Sequence, residues 1–143
     1  MRRFRSRQLV VLAVVALSTW TCSSTSTTPS NSTTTKTPAS TTEVFSSPLT
    51  PNGAVTFTFT TATSGLITVS LTSVTPDSTL ALGIAIGVLT GTSCELKITN
   101  DTAVQGSVVT GVGGSASNFC ARVYDASGVV AAPTSVSVTV THF

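Results

Sequence analysis

Apolar and hydroxyl side chains alternate at period two through residues 43–143, and this pattern limits the folds open to the chain. Val55, Phe57 and Phe59 alternate with threonines. Large apolar side chains also recur at every second position in four further segments: 67–71, 80–86, 96–98 and 136–140. The intervening residues are Ser or Thr in the first and last of these, Ala or Gly in 80–86, and Lys97 in 96–98. Alternation of this kind is typical of strands with one buried and one hydrated face.

Turn-forming residues separate these segments, as in Asn52-Gly53, Pro76-Asp77 and Gly113-Gly114. No stretch repeats apolar residues at helical spacing with capping signals. Residues 43–143 are therefore predicted to form an all-β fold, a single antiparallel β-sandwich or jelly roll of about 7–8 strands.

The segment Leu80–Val88 is unusual because its second face carries only small residues. These are Ala81, Gly83, Ala85 and Gly87. Small residues let another part of the protein approach closely or let a strand bend. Two interpretations follow: a second sheet packs tightly over this face, or the face is an edge or groove that accepts a partner strand.

The first residues have the order of an export signal. Four arginines within Arg2–Arg7 precede an apolar run, Gln8–Leu17. That run is much shorter than the roughly 20 residues that cross a bilayer. Residues 1–21 are predicted to be a signal peptide, cleaved after Ser18 or after Thr21. The alternative is an uncleaved anchor helix, which also leaves the rest of the chain outside the cytoplasm.

Leu17-Ser18-Thr19-Trp20-Thr21-Cys22 resembles the signal of bacterial lipoproteins, in which the cysteine carries the lipid. The chain departs from that pattern at Thr19, where Leu is usual, and at Thr21, where Gly or Ala is usual. Lipidation of Cys22 is the prediction. Cleavage after Ser18 would instead leave Cys22 as a free thiol or as an intermolecular bridge.

The chain has three cysteines, and outside the cytoplasm thiols tend to pair. With Cys22 assigned to lipid, Cys94 and Cys120 are predicted to form a disulfide, which would close a loop of about 26 residues. Their faces conflict, because Cys94 is in phase with Leu96 while Cys120 alternates with apolar neighbours. The bridge therefore requires a bend, a bulge or a strand end. The sequence leaves the pairing open.

Residues 22–42 form a Ser/Thr/Pro tract with almost nothing apolar to bury. Such composition predicts a disordered tether that acts as a spacer. Its dense hydroxyls could also carry O-linked sugar.

The charge balance argues against nucleic acid as a partner. The full chain is formally +2, but four of its seven basic residues lie in the signal. Removal of the signal leaves Lys36, Lys97 and Arg122 against five acids, or about −2. There is no basic patch that could bind phosphates.

Residues able to perform catalysis are scarce. The one histidine, His142, is next to last, where chain ends usually fray. No serine lies in a Gly-x-Ser-x-Gly elbow. One histidine and two paired cysteines cannot supply a zinc site. The chain is predicted not to be an enzyme.

Arg122 and Tyr124 are the candidate binding residues, because they share the face opposite Phe119 in a predicted strand. A small ligand patch is one interpretation. The other is a cross-strand pair that only covers the sheet.

Several segments resemble the bacterial pre-peptidase C-terminal domain family, small β-sandwich modules appended to secreted proteases and other surface proteins. The similar segments are Thr56–Thr60 with Gly65–Leu71, Asp77–Leu82, Phe119–Tyr124 and Val136–Thr141. The resemblance implies an accessory module that binds substrate or matrix, sometimes with calcium. Calcium needs six to eight oxygens, and Asp77, Asn100, Asp101 and Asp125 fall in separate turns. No cofactor and no metal are therefore predicted, with calcium as the alternative.

Together these observations predict a non-catalytic, extracytoplasmic binding or accessory module of bacterial type, either secreted or anchored to the cell envelope. The predicted partner is an extracellular polymer, glycan or protein, with the membrane contacted through lipid on Cys22. The alternative is a structural or self-assembling cell-surface subunit.

Overall fold

Eight β-strands make up the part of the chain that this computed structural model describes, residues 38–143. They are β1 (Thr41–Leu49), β2 (Ala54–Thr61), β3 (Gly65–Thr75), β4 (Leu82–Thr90), β5 (Ser93–Ala103), β6 (Val108–Gly113), β7 (Ser117–Tyr124) and β8 (Thr134–His142). The predictions for the signal peptide, for Cys22 and for residues 22–37 of the tether lie outside the described residues.

The strands form two four-stranded sheets. Sheet A has the order β1-β8-β3-β6, and sheet B has the order β2-β7-β4-β5. Every pairing is antiparallel, and the two sheets pack as a sandwich. The predicted all-β sandwich is confirmed.

The core follows directly from the period-two pattern. In β8, Val136, Val138 and Val140 are fully buried, and the serines and threonines between them face outward. Ile67, Val69 and Leu71 of β3 continue the same buried face. Burying each such side chain contributes about 1.5–3 kcal/mol relative to leaving it exposed.

The outer face of sheet A carries no charged residue. One row across all four strands consists of threonines: Thr42, Thr141, Thr68 and Thr110. The Oγ1 atoms of Thr42 and Thr141 are 3.2 Å apart, within hydrogen-bond distance. Aliphatic side chains interrupt the hydroxyls at the two edge strands, where Val44 is 67% exposed and Val112 is 82% exposed.

Both ends of the described segment lie at one end of the sandwich. The carbonyl oxygen of Phe143 accepts hydrogen bonds from the backbone N–H groups of Ala62 and Thr63. The Phe143 ring lies against Gly65, where a Cβ atom would come within 2.8 Å of it. Residues 38–143 include no helix of a length and hydropathy suited to crossing a membrane.

Candidate binding face

Three consecutive outward side chains of β7 lie over the small residues of β4. Cys120 pairs with Gly87, Arg122 with Ala85 and Tyr124 with Gly83. Strand β4 is an inner strand of sheet B, between β7 and β5, so its small face is neither a sheet edge nor an open groove. The side chains of β7 cover it, and no second sheet does.

Tyr124 crosses the sheet surface from β7 to β5. Its ring lies on Gly83, where a Cβ atom would overlap it. Its hydroxyl donates a hydrogen bond to Asp101 Oδ1 in β5. Burial raises the pKa of Tyr124 to about 12, and the hydrogen bond to the Asp101 carboxylate acts in the same direction. The phenol therefore remains a hydrogen-bond donor near neutral pH.

The disulfide between Cys94 and Cys120 lies over Gly87, with a Cα–Cα distance of 5.9 Å. A Cβ atom on Gly87 would lie 2.6 Å from the Glu95 carbonyl oxygen and 2.9 and 3.0 Å from the two sulfur atoms. Glycine at this position is what allows β5 and β7 to be joined across β4.

A β-bulge resolves the conflict between the faces of the two cysteines. Ile86 pairs with Ile98, but the next residue of β4, Gly87, pairs with Leu96. The residue between Leu96 and Ile98 is therefore extra in β5, and the faces change there. Cys94 and Leu96 consequently share the outer face with Cys120, whereas Ile98 points to the core side.

Arg122 lies between the disulfide and Tyr124, over the fully buried Ala85. Its cross-strand neighbour in β2 is Thr56. The Nε atom is buried without a hydrogen-bond partner in residues 38–143. Within the same described range, no carboxylate lies at ion-pair distance from Arg122, whereas Lys97 pairs with Glu95 at 2.7 Å.

Three of the candidate calcium residues, Asp77, Asn100 and Asp125, accept hydrogen bonds from backbone N–H groups. Asp77 accepts hydrogen bonds from Thr79, which lower the pKa of this carboxyl. Asn100 accepts from the Thr102 N–H at 3.1 Å. The carboxylate of Asp125 accepts backbone N–H bonds from the chain at Asn52, 129 and 130. Among residues 38–143, no three metal-binding side chains come together.

Asp125 shows how such a turn is held. Burial alone would raise the pKa of its carboxyl, but the backbone N–H groups that donate to it outweigh burial and lower the pKa. The charged carboxylate therefore joins the turn before β2 to the loop after β7.

Sequence reasoning missed a contact between the buried His142 and the half-exposed Glu43, at the end of the sandwich where Phe143 lies. His142 is only 4% exposed, and its Nε2 lies 2.9 Å from Glu43 Oε1. Its ring packs at 5.2 Å from the ring of Phe59. The pair borders a shallow cavity of about 520 Å³, also lined by residues 38–39, 60 and 62–63. No local signal could reveal it, because the two residues are 99 positions apart.

This pair does not have the geometry of a general base acting on a hydroxyl. The Nε2 atom faces Glu43, and the Nδ1 atom is buried without a partner in the part of the chain that the structure describes. A base must lie within hydrogen-bond reach of its nucleophile. The pair instead joins the start of β1 to the end of β8.

Comparison with protein-family models, with curated proteins and with solved structures gave no match to this chain.

Proposed function

We propose that this protein is a non-catalytic extracytoplasmic binding module that recognises its partner through Arg122. The observation that carries the proposal is the position of Arg122 on the outer face of sheet B, between Tyr124 and the disulfide, where its guanidinium makes no ion pair with any carboxylate of residues 38–143. A guanidinium that makes no ion pair within its own domain retains its hydrogen-bonding capacity for a ligand.

The geometry favours a ligand that presents a carboxylate. Guanidinium groups bind carboxylates through two parallel N–H···O bonds, which gives both affinity and orientation. The disulfide and the hydrogen-bonded Tyr124 flank Arg122 on the same face of β7. Neighbours that restrict a side chain before binding lower the entropy cost of recognition.

The net charge of the domain further limits the class of partner that we propose. Residues 38–143 contain five acids against two strong cations, Lys97 and Arg122. This net negative charge repels polyanions at long range. The proposed partner is therefore an extracellular polymer, glycan or protein with isolated carboxylates, and nucleic acid is not a proposed partner.

The variant Arg122→Gln tests this role. An oligosaccharide with a single uronic acid residue and its carboxyl-reduced counterpart serve as probes. Because hydrogen bonds to charged groups contribute about 1.5–3 kcal/mol, the change should weaken binding of the carboxylated probe by about tenfold or more. Isothermal titration calorimetry measures the affinities.

The matched control is Lys97→Gln, which removes the other strong cation of residues 38–143 from strand β5 of the same sheet. It should leave the affinity nearly unchanged. If the two variants lost affinity for the carboxylated probe equally, the loss would follow from the change in net charge alone, and this would contradict the proposal. Equal binding of the carboxylated and the carboxyl-reduced probe would also contradict it.

We further propose that the module is tethered to a bacterial cell envelope through lipid on Cys22. The basic and apolar order of residues 1–21 and the Ser/Thr/Pro tract of residues 22–42 support this location. The resemblance to pre-peptidase C-terminal domains supports an accessory role on a surface. The intact mass of the protein from the host's membrane fraction should begin at Cys22 and include acyl chains. An unlipidated protein that starts at Thr19 would contradict the tether.

The competing candidate is a structural, self-assembling subunit. The observation that favours it is the charge-free outer face of sheet A, with the exposed Val44 and Val112. Copies with net negative charge can approach there without placing like charges together. In this alternative, Thr110→Lys on that face should suppress concentration-dependent light scattering, and a wild-type protein that stays monomeric at high concentration would contradict it.

A further inference from the structure

The four sheet edges of the sandwich differ in how they are protected against pairing with another chain. Exposed edge strands are usually shielded by proline, charge, bulges or short length. Strand β1 contains Pro48 and the inward-pointing Glu43. Strand β5 has register shifts and carries Lys97 with Glu95. Strand β6 has only six residues.

Strand β2 has none of these features. Its eight residues, Ala54–Thr61, include no charge, proline or glycine. Its register with β7 runs without a shift from one end to the other. The other side of β2 is the edge of sheet B. A regular, uncharged strand of high β-propensity at an edge is a template for an added strand.

The sequence of β2 is also symmetric. Thr56-Phe57-Thr58-Phe59-Thr60 reads the same in both directions, and it is flanked by the similarly shaped Val55 and Thr61. Two copies of this strand, paired antiparallel with Thr58 opposite Thr58, place threonine opposite threonine and phenylalanine opposite phenylalanine. Like-shaped β-branched and aromatic pairs stabilise adjacent strands.

We propose that β2 pairs with β2 of a second copy of this chain, which joins the two B sheets into one continuous sheet. The two-fold axis passes through Thr58, as an isologous contact requires. Phe57, half-buried at the edge and stacked on Phe45 at 5.2 Å, then lies opposite Phe59 of the second copy. This inference goes beyond the proposed binding role and does not depend on it.

The pairing has a consequence for Arg122. Strand β7 is the immediate neighbour of β2, so two copies of Arg122 would lie on the same face, separated by three strand spacings. At about 4.8 Å per spacing, the distance across the sheet is about 14 Å, and the register adds an offset of four residues, about 13 Å, along the strands, so the two groups lie about 20 Å apart. A dimer would thus present two equivalent guanidinium groups on one face.

A charge-swap experiment tests the pairing. Thr58→Lys and Thr58→Glu each place like charges directly opposite across the two-fold axis, which destabilises a strand pair. Each variant alone should dimerise about fivefold or more weakly than the wild-type full chain. An equimolar mixture of the two variants should recover dimers, because opposite charges then face each other. Sedimentation equilibrium of the full chain measures all four samples.

Thr56→Glu is the matched control, since it adds the same charge to the same strand beside Arg122. In the proposed register the two changed residues lie about 13 Å apart, so dimerisation should remain near the wild-type level. Circular dichroism confirms that each variant is folded. A wild-type chain that is monomeric at every concentration would overturn the proposal. The proposal would also be overturned if the mixture failed to recover dimers, or if another segment of the same chain occupied the β2 edge.

Discussion

Replacing Cys94 and Cys120 together with alanine is expected to lower the free energy of unfolding by about 3.5 kcal/mol, from the loop-closure entropy of a cross-link with a separation of 26 residues. The loss of stability should affect strand β5 most. This edge strand pairs only with β4, and the disulfide gives it a second attachment, to β7.

Urea denaturation measures the change. The wild-type chain in reductant should unfold at the same midpoint as the double variant, and the double variant itself should not respond to reductant. Cys22→Ser serves as the control, because it removes a cysteine that takes no part in the bridge. If reductant left the wild-type midpoint unchanged, the disulfide would have no role in stability.

The second large effect is expected from Gly83→Ala. The added methyl group overlaps the Tyr124 ring, and such overpacking typically costs about 1–3 kcal/mol. The ring must leave the sheet surface, so Tyr124 loses both its burial and its hydrogen bond to Asp101. The pKa of Tyr124, about 12 in the native chain, should then fall toward its ordinary value of 10.0.

The absorbance of tyrosinate reports this pKa without interference from other tyrosines, because the chain has a single tyrosine. The native pKa is raised, so the associated stability is fully present below pH 10 and is lost between about pH 10 and pH 12. In Gly83→Ala this loss should be smaller, since the ring is already displaced.

A double-mutant cycle separates this contact from a general effect of alanine. In a Tyr124→Ala background, Gly83→Ala should be nearly neutral, because the atoms that it overlaps are gone. Gly87→Ala provides the contrast: its Cβ would lie 2.6 Å from the Glu95 backbone carbonyl, which no side-chain deletion removes. Additive losses for Gly83→Ala and Tyr124→Ala would contradict the contact.

The strand faces could be predicted because burial repeats every two residues. Val136, Val138 and Val140 face the core as their spacing indicates. Strand β1 is not visible in the sequence in this way. Its Ser47-Pro48 segment reads as a break, yet proline is accepted there because β1 is an edge strand of sheet A.

The remaining features depend on register between distant strands, which composition does not encode. The small residues of β4 indicate a close approach, but only the pairing of β4 with β7 shows that Tyr124 covers Gly83. The face of Cys94 depends on the extra residue in β5 between Leu96 and Ile98. The contact between Glu43 and His142 likewise requires the pairing of β1 with β8.

The position of β1 determines how the domain would respond to mechanical force. The chain enters at Pro38, beside the end of β8, and β1 then runs antiparallel to β8 along all nine of its residues. Antiparallel hydrogen bonds lie perpendicular to the strands, so a pull along the β1 axis on the residues before Thr41, opposed from the far end of the sandwich, loads this ladder in shear. The bonds then resist together and are not peeled apart one by one. A domain held from upstream against a bound partner would therefore bear tension through its first strand.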